Sequence, residues 1–190
     1  MSSYVPTFSL TQINFKETLN GCMKIVGGSL FIALCSQIKI DLPFTLIPIT
    51  LQTFAVLLLG GMYGGRQAAC MLLTYFTEIL LGIPVLPGGI ANSLLFVGPK
   101  AGYYIGFLLQ AYSFGYLVER IKEYSIFKIA FIGCAVCVLQ LGLGAYWLAL
   151  FVGFNHALMM GFYPFILGDL AKVIAVTAAL RRPLLYTKGL

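Results

Sequence analysis

Long apolar runs, separated by short breaks and flanked by end segments that together carry most of the charge, constrain this chain more than any other feature. The runs fall at about 22–37, 49–62, 67–83, 101–118, 126–153 and 157–180. A helix that crosses a bilayer needs roughly 20 predominantly apolar residues. The run at 49–62 is short on its own, and six crossings is the count that best fits the alternation of charged breaks. Composition agrees: 60% of the 190 residues are apolar and 9% are charged. A soluble domain has about 45–50% and about 25% respectively. So few charges cannot cover the surface of a water-soluble globule. A soluble enzyme and a secreted binding module are thereby excluded. The expected fold is all-α, a polytopic membrane protein built as a bundle of six transmembrane helices. A polar segment at 1–21 precedes the membrane domain at 22–180, and a basic tail at 181–190 follows it.

The net charge of +6 is therefore read by position, as a signal of orientation in a lipid bilayer rather than of nucleic acid. If the N-terminus is cytoplasmic, Lys16, Lys24, Arg66, Arg120, Lys122, Lys128, Arg181, Arg182 and Lys188 share one side. Lys39 and Lys100 lie on the other, and Lys172 is inside the sixth run. This bias predicts both termini in the cytoplasm. It also gathers two irregular apolar segments, 39–48 and 84–100, on the outer face. Such backbone is tolerated at membrane depth only where protein or a cavity covers it, so a lidded pocket is expected there. The first residues contain no short apolar stretch with a small-residue cleavage site, and no removable signal is expected.

Asp169 and Lys172 are the strongest chemical signal. At i and i+3 on one helix they share a face, and ionisable groups inside a crossing default to a functional reading. A self-neutralising pair that fastens the helix to its neighbours is the alternative. Glu78, Gln110 and Gln140 are polar groups in apolar runs, each read first as an interhelical hydrogen bond. Asn92, among small residues of the second outer segment, either caps a turn or offers its amide to a ligand. His156 is read as a loop or cap residue near an outer helix end. Ser29 and Ala33 form a small-x-x-x-small pair on the first helix, which permits close helix approach, within the bundle or against a partner. Cys134 and Cys137 make a C-x-x-C without a second ligand pair and are read as small buried hydrophobes. No metal site, cofactor site or nucleotide-binding loop is expected.

The run Pro48-Ile-Thr-Leu-Gln-Thr-Phe-Ala-Val-Leu-Leu, with Gly82-Ile-Pro-Val, Gly98-Pro-Lys-Ala-Gly-Tyr, Gly106-Phe and Gly168-Asp-Leu-Ala-Lys, closely resembles the BioY family. These are the biotin-specific substrate-binding S components of energy-coupling-factor (ECF) transporters. The resemblance extends over about 22–180. One departure is visible: the family usually reads G-P-T-G-G-Y, and here Lys100 and Ala101 take the third and fourth positions. The resemblance implies biotin uptake across the bacterial cytoplasmic membrane, with a transmembrane coupling subunit and two ATPase subunits as partners. It implies no enzymatic activity. It assigns biotin's ureido ring to Asp169, Lys172 and Asn92, with Thr50 and Gln52 as further candidates to line or close the site. A ureido ring offers two N–H donors and a carbonyl acceptor, which a carboxylate beside a cationic or amide donor can match. The resemblance also implies that Ser29 and Ala33 dock the coupling subunit. A solitary transporter without a dedicated ATPase module is the alternative; an integral membrane enzyme or a structural membrane protein is remoter.

Overall fold

A computed structural model describes residues 15–91, 93–121 and 125–180. Asn92, the first fourteen residues and the basic tail at 181–190 lie outside the described residues. Among the described residues seven α-helices follow one another: α1 (Phe15–Gln37), α2 (Gln52–Tyr63), α3 (Gly65–Leu80), α4 (Ala101–Glu119), α5 (Ile126–Val152), α6 (Phe154–Gly161) and α7 (Tyr163–Ala179). Helix α1 thus takes in 15–21, which the composition alone had assigned to the polar N-terminal segment.

The distribution of polarity is that of a membrane bundle. Phe127 is 87% exposed and Leu167 78%, while Ser29, Gln52, Gln110, Gln140, Asp169 and Lys172 are buried. Lipid-facing surfaces need apolar side chains, and buried polar groups need partners or a ligand. Among the described residues, three helical stretches are long and apolar enough to cross a membrane: Glu17–Gln37, Ile126–Val152 and Phe154–Ala179. The last of these is not one continuous helix, as the sequence pattern suggests. It breaks at Phe162 (φ −122°, ψ −65°), and Pro164 opens the first turn of α7, where its missing N–H costs no helical hydrogen bond.

Helix α2 is short. Its 12 residues reach only about 18 Å, well below the roughly 30 Å of a hydrocarbon core. The chain before it forms a two-stranded hairpin, β1 (Lys39–Ile40) against β2 (Ile49–Thr50), with Lys39 opposite Thr50. At the far end of α2, Gly64 makes the turn into α3 with φ +83°, a conformation that favours glycine.

The second irregular segment, between α3 and α4, is fastened from three helices. The Val85 carbonyl accepts from Ser36 Oγ of α1 at 2.7 Å and from the Tyr75 hydroxyl of α3 at 3.1 Å. Trp147 Nε1 of α5 donates to the Gly98 carbonyl at 3.1 Å. Gly102 and Gly144 let α4 and α5 approach closely. A Cβ at Gly144 would overlap the ring of Tyr103, and one at Gly102 would overlap Trp147. The hairpin and this fastened loop share one end of the bundle, and the cavity opens there.

Candidate functional site

Helix α7 supplies the floor of the site. Lys172 Nζ donates to Asp169 Oδ1 at 2.8 Å, and their side chains are 10% and 6% exposed. Lys172 also donates to Thr53 Oγ1 at 3.5 Å. Because α2 begins at Gln52, its N-terminal end meets this pair below the mouth of the bundle. The positive end of a helix favours a neighbouring carboxylate. Leu51 offers no side-chain cap there, and the Thr50 hydroxyl accepts from the Gln52 N–H at 3.4 Å.

Above the pair lies a cavity of about 340 Å³, within the usual range for small-molecule sites, whose lower end is about 300 Å³. Its walls include Ile47 and Pro48 of the hairpin, Tyr103, Tyr104 and Phe107 of α4, Leu141 of α5 and Phe165 of α7. Tyr103 is held by its hydroxyl, which donates to the Gly161 carbonyl at 2.7 Å. Leu86, Pro87, Ile90 and Leu95 of the fastened loop line it as well.

Two buried amides on this wall have an unused hydrogen-bonding atom. Gln52 Nε2 and Gln140 Oε1 are buried with no hydrogen-bond partner among the described residues. A buried polar atom left unpaired costs about 1–3 kcal/mol. Gln52 and Gln140 line the cavity together with the ion pair, and each keeps one buried polar atom that a small rotation of its amide could turn to a ligand. This arrangement suits a compact neutral group that both donates and accepts hydrogen bonds. Replacing a buried ion pair with apolar packing is often neutral or stabilising, so a fastening role alone is a poor reason to keep Asp169 and Lys172 here.

The structure brings four of the expected residues, Asp169, Lys172, Thr50 and Gln52, to this one cavity. Asn92 lies outside the described residues, although Ile90 and Leu95 on either side line the wall. Sequence reasoning missed Thr53, whose signal was available as the last residue of the Pro48-Ile-Thr-Leu-Gln-Thr run. Gln140, expected to bond another helix, faces the cavity instead. Glu78 does bond another helix: it accepts from Ser29 Oγ at 2.6 Å. Gln110 is fully buried and donates to Cys137 Sγ at 3.2 Å. His156 is exposed on α6, near its start. Among the described residues no cluster of metal-ligating side chains occurs.

The docking expectation needs correction. Ser29 is fully buried and Ala33 is 7% exposed. Ser29 faces α3 through its bond to Glu78, and Ala33 belongs to the core formed by α1, α2, α3 and α4. The small side chains serve close packing inside the bundle. The outward face of α1 consists instead of Met23, Val26, Leu30 and Leu34.

Comparison with known proteins identifies a family and a fold. The BioY family matches residues 9–186. Biotin transporter BioY2 of Lactococcus lactis subsp. cremoris is 33% identical over 168 residues, covering 86% of this chain and 91% of that protein. A probable biotin transporter BioY of Pyrococcus horikoshii is 36% identical over 156 residues, covering 80% and 89%. The fold resembles the 2.1 Å crystal structure of the S-component for biotin from an ECF-type ABC transporter. That likeness has a TM-score of 0.80 and 24% identity, and covers 90% of this chain and 93% of that one. With the family match extending over nearly its whole length, the chain belongs to the BioY family.

Proposed function

We propose that this protein binds biotin and carries it across the bacterial cytoplasmic membrane as the S component of an ECF transporter. The observation that carries the reading is the buried Asp169–Lys172 pair at the floor of a cavity with apolar walls. A ureido ring supplies N–H donors for the Asp169 carboxylate and a carbonyl acceptor for the Lys172 ammonium, with the amides of Gln52 and Gln140 in the same lining. The aromatic and aliphatic walls suit the thiophane ring and the valeryl chain. Asn92 is proposed as a further ureido contact, supported by the placement of Ile90 and Leu95 on the wall.

In this reading the chain crosses the membrane six times. Helix α2 and the hairpin together make the second crossing, and α6 and α7 together make the sixth. Both termini are cytoplasmic, so the hairpin and the fastened loop face outward, in line with the asymmetry of lysine and arginine. The family relatives are transporters by name, not enzymes. Energy for release on the inner side comes from a transmembrane coupling subunit with two ATPase subunits, which shift this chain between outward- and inward-facing states. Equilibrium binding of labelled biotin to the detergent-purified chain tests the reading. Saturable binding that is lost in Asp169→Ala supports it, and no saturable binding by a folded chain refutes it.

A further inference from the structure

Three lysines and two aspartates are the charged groups on the cavity wall: Lys39, Lys100, Lys172, Asp41 and Asp169. At the floor, Lys172 and Asp169 neutralise each other at 2.8 Å. At the mouth, Lys39 is paired with Asp41, also at 2.8 Å. Lys100 is left over. Among the described residues its ammonium has no hydrogen bond or ion pair, although Asp41 and Lys39 are near enough to act on it electrostatically. Burial pushes Lys100 below the ordinary lysine range, the mark of a partly desolvated cation. The cavity therefore carries one net positive charge, and that charge is at its mouth.

The position of Lys100 follows from the fold. It caps the first turn of α4, and Tyr103 one turn further on is tied to Gly161, just before α7 begins. Asp169 lies two turns into α7, so floor and mouth are separated by on the order of 10 Å along the bundle. A ligand that spans them needs a neutral hydrogen-bonding head and a singly charged anionic tail.

We propose that Lys100 receives the carboxylate of the ligand and makes the site selective for the free acid over uncharged derivatives of the same ring system. This deepens the biotin reading and rests on it. Lys39 and Asp41 contribute little to the selectivity, because they cancel each other and Asp41 is largely exposed.

The test is equilibrium binding to the detergent-purified chain of biotin and of biotin methyl ester, which keeps the rings and loses the charge. The wild type is expected to prefer the acid by on the order of tenfold, the scale of one charge-assisted hydrogen bond. Lys100→Gln should bind the ester as the wild type does and lose the preference for the acid. Lys100→Arg and the double variant Lys39→Gln/Asp41→Asn should keep it. Equal binding of acid and ester by the wild type, or full preference retained in Lys100→Gln, overturns the inference and leaves the biotin reading intact. Failure of the folded wild type to bind either compound overturns both.

Discussion

The ammonium of Lys172 lies 3.5 Å from the hydroxyl of Thr53, a contact that joins the last helix to the start of α2 across 119 positions of sequence. Lys172 is also 2.8 Å from Asp169. The ion pair is therefore set against the second helix, and anything that moves α2 relative to α7 alters the floor of the cavity.

Removing either charge should weaken biotin binding. Asp169→Ala and Lys172→Ala are each expected to cost about 1.5–3 kcal/mol, as for a hydrogen bond to a charged group. The double variant should lose less than the sum, because the two side chains act as one unit. Titration of the purified variants with labelled biotin measures both effects. Unchanged affinity in either folded single variant would reduce the pair to a fastening between helices.

The two buried glutamines should separate cleanly. Gln140→Leu removes the amide of a residue that lines the cavity, and is expected to lower biotin affinity by about 1 kcal/mol. Gln110→Leu removes a group bonded to Cys137 away from the cavity wall, and should leave affinity unchanged. Binding measured side by side decides the matter, and equal losses would show that Gln140 acts through the packing of the bundle.

Tyr103 is both a wall of the cavity and a strut. Tyr103→Phe keeps the ring but removes the bond to Gly161, so it should lower stability by about 1 kcal/mol with little effect on affinity. Gly144→Val drives side-chain atoms into that ring, and should reduce both stability and binding. Thermal unfolding in detergent, with and without biotin, distinguishes the two outcomes.

On α1, neighbouring positions should respond in opposite ways. Ser29→Trp has no room, because Ser29 is fully buried and bonded to Glu78; yield and biotin binding should fall together. Gly27 is exposed, with no atom within 4 Å of an added Cβ. Gly27→Trp should leave the isolated chain folded and able to bind biotin. Normal binding in Ser29→Trp would restore the outward-facing role first expected of that residue.

Much of this protein is already determined by one dimension of its sequence. A bilayer admits only structures that satisfy their own backbone, so uninterrupted apolar runs can be little other than helices. Charged breaks then mark where those helices end. The i, i+3 spacing of Asp169 and Lys172 likewise guarantees a shared face before any packing is known. Local pattern was less able to say how far each helix extends. The sixth run is apolar across Phe162, so hydropathy did not show the break between α6 and α7. The second run is short as a helix, and hydropathy did not show that its first residues, Ile49 and Thr50, pair as a strand with Ile40 and Lys39. Tertiary structure alone decided which polar residues face the cavity and which face a neighbour. Gln110 and Gln140 look alike in sequence, yet one is sealed between helices and the other lines the cavity. Ser29 could have faced lipid or α3, and the carboxylate of Glu78 decides for α3. That choice depends on the rotation of each helix about its axis, which is fixed by contacts between residues distant in sequence, such as Ser29 with Glu78 and Tyr103 with Gly161.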